Sequence, residues 1–261
     1  MLDASGLIQG AADTRQSDIA FEMLRTDIVA CRIAPGSGVS EAELADRYKL
    51  GKAGIRRAMV RLIERNWVQA LPRRGYLVKP VTLRDIGEIF ELRRMIEPAA
   101  VRHAAGCVDV NRLRQLDAVC GAGFVAGDAA SQATFLQAHR QFHLAVVTAG
   151  GNERLAAVFE PLWDETERVI YHAGLMRGRA ADLRHDHTTL ISALASGRGD
   201  DAASAIGDEV EQLHCLIIDA VLKTPSMLAP APLLPGSEPP DTTGPPRKRR
   251  TTGRHGREIE Q

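Results

Sequence analysis

The sequence predicts a mainly α-helical protein: an N-terminal winged helix-turn-helix with a small β-hairpin wing, then a C-terminal bundle of six to seven antiparallel helices. Three observations support this fold class. Apolar residues recur at helical spacing along most of residues 18–222, strand signals concentrate at 67–79, and basic charge concentrates at 47–79. With 261 residues, the chain has room for two domains of ordinary size.

Two helices are predicted before residue 50. Ser17 can cap the first, which starts around Asp18 and ends before a turn at Pro35-Gly36. A capping-box pattern, Ser40-Glu-Ala-Glu43, opens a short second helix. Residues 1–16 are polar and weakly patterned, which predicts a flexible tail.

A third helix is predicted over 52–65, and a hairpin follows it. One face of this helix is apolar and the other is basic, while strands at 67–71 and 75–79 flank a glycine-containing turn. Three helices followed by a hairpin are typical of a winged helix-turn-helix, which we expect to occupy residues 17–80.

Residues 81–223 are predicted to form the all-helical domain. Thr82 resembles a helix cap, and Asn152 and Asp200 are expected to cap two later helices. The other predicted helices cover 110–126, 131–149, 153–174, 181–196 and 201–222. Residues 224–261 are rich in proline, glycine, threonine and arginine, which predicts a disordered tail.

The composition bounds the class of protein. No run approaches the ~20 apolar residues of a membrane span, and the four cysteines lie far apart without a paired motif. We therefore expect a cytoplasmic protein with reduced thiols and no membrane partner. Although the formal net charge is zero, residues 47–79 contain ten basic residues and one acidic residue. Such a basic module attracts phosphate groups.

The basic face of the third helix predicts contact with DNA. Lys52 and Arg56 lie one turn apart at the helix start, where a recognition helix reaches bases and phosphates. Gly75 at the hairpin tip permits close approach of the backbone to a minor groove. Considered alone, the charge pattern also fits a solvated basic helix face.

Histidines in the helical domain predict a metal site. His139 and His143 are four residues apart and project from one helix face, and His187 and Glu211 lie on the next helices that we expect to face inward. Three imidazoles and a carboxylate suit Zn²⁺, Ni²⁺ or Mn²⁺. Two histidines at this spacing are also common as surface or packing residues.

The motifs of the first 80 residues resemble the GntR winged-helix pattern over about residues 18–80. They are Ile33-Ala-Pro-Gly-Ser-Gly-Val-Ser-Glu41, Glu43-Leu-Ala45, Ile55-Arg-Arg-Ala-Met59, Leu62, Trp67-Val68 and Arg74-Gly-Tyr76. The resemblance implies that Lys52 and Arg56 contact an operator and that the wing at Gly75 enters the minor groove. By position, Arg47 and Arg57 are expected to contact phosphates, and Arg74 lies at the same wing tip. Gly51-Lys-Ala-Gly54 departs from the family's usual Ser-Arg-x-Pro run.

The second domain resembles the FCD effector domain of the FadR-like subfamily over about residues 82–222. The motifs are Ile89-Phe-Glu-Leu-Arg93, Glu97-Pro-Ala-Ala100, Phe142-His143, Gly151-Asn152, His187 and Gly199-Asp200. Many such domains hold a divalent metal with one aspartate and three histidines, and bind a small carboxylate effector. In this sequence His139 stands at the aspartate position and Glu211 at the third histidine. His214 is an alternative ligand to Glu211.

Arg93 lies on the apolar stripe of the first helix of this domain. A buried arginine needs an anionic partner. It can clamp an effector carboxylate, or form a structural pair with Glu97, one turn away.

The combined resemblance implies a homodimeric repressor that binds a palindromic operator and responds to a carboxylate metabolite. A metal-free effector-binding regulator is one alternative. A metal-dependent enzyme is another, but no nucleophile or general base is tied to the histidines by a motif, so we predict no catalytic residues.

Overall fold

Two separate apolar cores divide the structure. The structure, a computed structural model, describes residues 4–178, 182–183 and 186–224. One core contains buried residues between Ala20 and Val78, and the other contains buried residues between Val81 and Val221. We call residues 4–78 the head and residues 81–224 the bundle.

The head is a winged helix-turn-helix, which confirms the predicted fold. Its elements are α1 (Ala4–Val29), β1 (Gly38–Val39), α2 (Glu41–Tyr48), α3 (Lys52–Glu64), β2 (Val68–Leu71) and β3 (Gly75–Val78). The three strands form an antiparallel sheet in the order β1-β3-β2. Strand β1 is absent from the sequence prediction because two residues are too few for an alternating pattern.

Helix α1 begins earlier than the sequence pattern predicts. It starts at Ala4 rather than near Asp18, so Ser17 is a buried residue inside the helix and not its cap. The segment before Ser17 contains no proline. Once residues 17–29 are docked on the head, adding helical residues in front of them needs no new nucleation.

The bundle consists of the remaining helices. They are α4 (Leu83–Ala104), α5 (Val110–Ala122), α6 (Ala129–Ala149), α7 (Glu153–His172), α8 (Leu175–Gly178), α9 (Thr188–Ala195) and α10 (Gly199–Leu222). Helix α4 packs along α10, α6 and α7. None of the helices in the described residues is long and apolar enough to cross a membrane.

The caps of these helices agree in part with the predictions. Thr82 forms a capping box with Asp85, and the Asn152 side chain accepts a hydrogen bond from the amide of Leu155. Helix α10 starts at Gly199, so Asp200 lies in its first turn and pairs with Arg102 instead of capping the helix.

Two predicted segments lie wholly or partly outside the described residues. Of the helix expected over 181–196, the structure has Thr188–Ala195, while residues 179–181 and 184–185 are outside the description. The tail predicted from residue 224 onward is outside it from residue 225.

Gly75→Ala is expected to destabilise the wing. Gly75 has φ +91°, and an added Cβ would lie 2.4 Å from the backbone oxygen of Val39 on the neighbouring strand. We expect a loss of about 1–3 kcal/mol in the free energy of unfolding. Gly87→Ala in α4 is the matched control, because its Cβ would meet nothing within 4 Å. Alanine there should be neutral or stabilising by up to ~1 kcal/mol. Urea unfolding measures both, and equal effects would contradict the steric argument.

Candidate DNA-binding surface and metal site

Helix α3 has one buried and one exposed face. Ile55, Met59 and Leu62 are buried in the core of the head. Lys52, Arg56 and Arg57 are exposed on the other face. Gly51 precedes the helix without a side-chain capping bond, as glycine must. The predicted division of this helix into a core face and a basic face is therefore present.

Arg56 is held in place by Glu41 from the first turn of α2. The guanidinium donates two hydrogen bonds to the carboxylate, from Nε at 2.9 Å and Nη2 at 2.7 Å. The hydroxyl of Tyr76, on wing strand β3, donates to the same carboxylate at 2.8 Å. The hydrogen bond from Arg56 lowers the pKa of Glu41. One acid thus connects the recognition helix to the wing.

The other predicted DNA-binding residues also lie on the head. Arg47 is exposed at the end of α2 and lies 3.2 Å from Asp27 of α1. Arg74 is exposed at the tip of the hairpin, next to Gly75. Glycine at position 75 also has a structural reason, because the backbone at Val39 leaves no room for a Cβ there.

The predicted histidines come together inside the bundle. His139 and His143 lie on α6, and His187 immediately precedes α9. Each offers a ring nitrogen such that all three atoms lie within 4.8 Å of one another, and Nε2 of His139 is 3.3 Å from Nε2 of His143. All three are buried. We call these residues the histidine cluster.

Carboxylates stand behind two of the three rings. Glu97 Oε2 lies 3.2 Å from Nδ1 of His143, and Asp117 Oδ1 lies 2.7 Å from Nδ1 of His187. Burial lowers the pKa of His143, and lowers that of His187 to about 4. Neutral rings with Nδ1–H directed at the carboxylates present Nε2 lone pairs to the centre. Metal-binding histidines have this arrangement.

The acid that faces the cluster is Glu209 and not Glu211. Glu209 Oε2 lies 3.8 Å from Nε2 of His187. Burial, with the nearby charge of Glu97, raises the pKa of Glu209 to about 8. The Glu211 side chain is 55% exposed and pairs with Arg94 at 3.1 Å. Two residues along a helix rotate a side chain by about 200°, so both acids cannot face inward.

His214 also lies outside the cluster. Its ring stacks on Phe90 with a centroid distance of 4.8 Å, and its Nδ1 lies 3.4 Å from Arg94. The predicted alternative ligand is therefore part of the contact between α4 and α10.

Arg93 lies beside the cluster and pairs with Glu97. Its Nε donates to Glu97 at 2.5 Å, so the structural pair considered from the sequence exists. Its guanidinium carbon lies 5.1 Å from the centroid of the Trp163 ring, which stacks on His143. Its Nη1 is buried without a hydrogen-bond partner among the described residues. A donor therefore remains for an anion.

Comparison with known families covers both parts of the chain. The bacterial regulatory protein family gntR matches residues 16–78, and the FCD domain matches residues 88–212. The chain therefore combines a gntR-type helix-turn-helix domain with an FCD domain, as its motifs predict.

Curated relatives of this chain are transcription regulators. The HTH-type transcriptional repressor RspR of Escherichia coli K12 is 25% identical over 193 residues, covering 74% of this chain and 85% of RspR. The Nta operon transcriptional regulator of Aminobacter aminovorans is 23% identical over 194 residues, covering 74% and 90%. The family and these relatives are regulators and not enzymes, which decides against the enzyme alternative.

Solved structures share the fold of this chain. A GntR transcriptional regulator from Rhodococcus sp. RHA1 has a TM-score of 0.63 at 24% identity, covering 79% of this chain and 99% of that one. E. coli McbR/YncC has a TM-score of 0.61 at 18% identity, covering 78% and 97%.

Sequence reasoning missed Glu41, Asp117 and Glu209 as members of these sites, and it named Glu97 only as a partner of Arg93. Glu209 carried a usable signal, because it lies on the buried stripe of α10 beside Ile206, Val210 and Leu213. Asp117 is likewise one turn from buried Leu113 and Cys120. An acid within an apolar stripe indicates an inward-facing polar site.

Glu167→Gln is expected to change how stability depends on pH. Glu167 is buried and accepts a hydrogen bond from Trp163 Nε1 at 2.9 Å. Burial raises its pKa to about 6, so the folded protein retains this proton after the unfolded chain has lost it. Glu167 alone should therefore lower the free energy of unfolding by about 2 kcal/mol as pH rises from the ordinary pKa of 4.5 to above 6. Glu209 and His187 add their own contributions to the wild-type profile.

Glutamine keeps an acceptor for Trp163 and has no proton to lose, so this decrease should vanish in the variant. Urea unfolding between pH 4 and pH 8 measures it. Glu88→Gln, at a largely exposed acid on α4, is the control and should keep the wild-type profile. A variant at Glu167 with an unaltered profile would contradict the expectation.

Proposed function

We propose that this regulator is a repressor whose operator binding is controlled by a small carboxylate held in the bundle through a divalent metal. The single observation that supports it best is the convergence of three buried imidazoles, two of them backed by carboxylates, beside an arginine with an unused donor. RspR, a relative over most of its length, is named a repressor, and this supports repression over activation.

We propose that the basic face of α3 reads the operator. Lys52 and Arg56 contact bases and phosphates, Arg47 and Arg57 contact phosphates, and the wing at Arg74 and Gly75 approaches the minor groove. The exposure of these side chains and the orientation of Arg56 by Glu41 support this assignment. An arginine held in a fixed orientation loses little entropy when it grips guanine with two hydrogen bonds.

We propose His139, His143, His187 and Glu209 as the metal ligands. Glu209 replaces Glu211 because, of these two acids, Glu209 lies 3.8 Å from Nε2 of His187 and Glu211 pairs with Arg94. Three nitrogens and one oxygen suit Zn²⁺, Ni²⁺ or Mn²⁺. When bound, such an ion supplies positive charge that attracts a carboxylate. A positive ion at this site also favours ionised Glu209, which otherwise has a raised pKa.

The effector is proposed to bind between the histidine cluster and Arg93. The guanidinium carbon of Arg93 lies 5.1 Å from the centroid of the Trp163 ring, which stacks on His143, and its Nη1 has no partner among the described residues. A carboxylate here would touch both the ion and the guanidinium. A metal-free regulator would use Arg93 alone, and the metal content of the purified protein distinguishes these alternatives.

The proposal includes a homodimer bound to a palindromic operator, since two half-sites mirror a two-fold axis. Leu92 and Met95 support it, because both are on α4, three residues apart, with 47% and 61% of their surface exposed. Exposed large apolar side chains that are neighbours on one helix are suited to contact with a second copy.

Arg56→Ala is expected to weaken operator binding by about 1–3 kcal/mol, because a bidentate base contact is lost. Labelled DNA from the upstream region of the gene is titrated with protein in the presence of competitor DNA. If that region contains no site, an operator selected from random DNA replaces it. Arg84→Ala is the matched control, since Arg84 is an 85% exposed arginine of the bundle that pairs with Glu88 on its own helix. Equal binding by both variants would exclude Arg56 from the operator contact.

Glu209→Gln should weaken binding of Zn²⁺ by roughly ten-fold or more, because a charged ligand becomes neutral. Glu211→Gln, two residues away on the same helix, should leave the affinity unchanged. Isothermal titration and the metal content of the purified protein measure both. His143→Ala should abolish stoichiometric binding. If Glu211→Gln weakened Zn²⁺ binding and Glu209→Gln did not, Glu211 would be the ligand. If the wild type did not bind Zn²⁺, the metal-free alternative would be supported.

A further inference from the structure

Asp164 on α7 is a buried carboxylate that receives three arginines. Its Oδ1 lies 2.7 Å from Nη1 of Arg25 and 2.6 Å from Nη1 of Arg140, and its Oδ2 lies 3.1 Å from Nη1 of Arg65. Only 2% of the Asp164 side chain is exposed. We call these four residues the Asp164 cluster. A buried charge of this kind persists only when it is neutralised and hydrogen bonded.

The cluster joins the head to the bundle. Arg25 lies on α1, and Arg65 is the residue that caps the C-terminal end of recognition helix α3. Asp164 and Arg140 belong to the bundle, on α7 and α6. A single carboxylate therefore fastens both the helix that packs on α3 and the end of α3 itself.

Two further contacts from α7 reach the head near Asp164. Trp67 Nε1 donates to Glu165 at 3.3 Å, and Arg168 donates to the backbone oxygen of Lys79 at the junction of the two cores. Within five residues α7 thus makes three kinds of contact to the head or its junction. Of these contacts, the Asp164 cluster contains the most charged side chains.

The same cluster adjoins the histidine cluster on α6, and on α7 it adjoins a tryptophan that packs against the histidines. Arg140 follows His139 on α6, and Asp164 follows Trp163 on α7. The Trp163 ring contacts both His143 and His139, with centroid distances of 4.6 Å and 5.2 Å. Closely packed side chains do not deform independently. A shift of α6 or α7 at the histidines must therefore displace Arg140 or Asp164.

The charge balance makes the cluster sensitive to small displacements. Three guanidinium groups converge on one carboxylate, and the other acids nearby are Glu22, 2.9 Å from Arg25, and Glu167, 3.6 Å from Arg140. If Asp164 withdraws, the arginines of the head face Arg140 without a shared counterion, and like charges repel.

We infer that Asp164 is a positioning residue that transmits occupancy of the histidine cluster to the orientation of the recognition helix. This inference rests on the proposed function for the source of the signal, namely metal at the histidines. The contact that Asp164 makes between head and bundle does not depend on the proposed function.

The coupling is tested with full-length protein, operator DNA and Zn²⁺. For the wild type, operator affinity with Zn²⁺ should differ from that with chelator by about five-fold or more, a typical coupling between two sites. Asp164→Asn should bind Zn²⁺ within about three-fold of the wild type and show nearly the same operator affinity in both conditions. Asp200→Asn, which removes an exposed pair with Arg102, is the control and should keep the wild-type ratio. A wild-type ratio in Asp164→Asn would overturn the inference.

Hydrogen exchange separates this inference from the proposed function. Without DNA or metal, amides of residues 17–29 and 60–70 should exchange roughly ten-fold faster in Asp164→Asn than in the wild type, while α10 is unchanged. If the wild type shows no response to Zn²⁺ but exchange increases as expected, the proposed metal signal fails and the fastening stands. If exchange is unchanged, the inference fails whatever the metal does. Should Asp164→Asn not fold, Arg65→Met removes one arm from the head side and should produce the same change in residues 60–70.

Discussion

Asp164 and its three arginine partners connect two apolar cores, both of which also pack against Tyr171. The buried residues of the head end at Val78 and those of the bundle begin at Val81, so each domain has an apolar core of its own. The energy of an apolar interface between head and bundle would depend little on the positions of charged groups. The energy of a buried ionic interface depends on short distances between charged atoms, so it stabilises one relative orientation of the two domains and disfavours others.

The same requirement, that a buried charge must have a partner, explains the inside of the bundle. Arg93, Glu97, His143, His187 and Asp117 form a chain of polar contacts within an otherwise apolar interior. Burial keeps the two rings neutral, the carboxylates lie at their Nδ1 atoms, and Nε2 of His187 lies 3.8 Å from Glu209. An interior that serves only stability has little need for such groups, because well-packed apolar residues serve that purpose as well or better. The polar interior is therefore an argument for binding.

The head shows how orientation of a single side chain can be built from distant parts of the sequence. Glu41 lies in α2, Arg56 in α3 and Tyr76 in the wing, and the fold brings all three together. Because the acid is shared, a change in wing position alters the support of Arg56. The helix face and the wing that we propose to contact DNA are thus linked through one carboxylate. Arg65, at the C-terminal end of α3, belongs to the Asp164 cluster.

The sequence by itself determined the fold class, both domain types, the basic face of α3 and the meeting of His139, His143 and His187. These follow from local periodicity, from caps such as Thr82 and Asn152, and from motifs whose spacing is preserved along the chain. Only the tertiary structure decided that Glu209 and not Glu211 faces the histidines, that Glu41 holds Arg56, and that Asp164 gathers arginines from three elements. The physical reason is that such pairings depend on the rotation of each helix about its axis and on contacts between residues up to 139 positions apart. Local pattern specifies which face of an element is apolar, but partners across the interior are chosen by how whole elements pack.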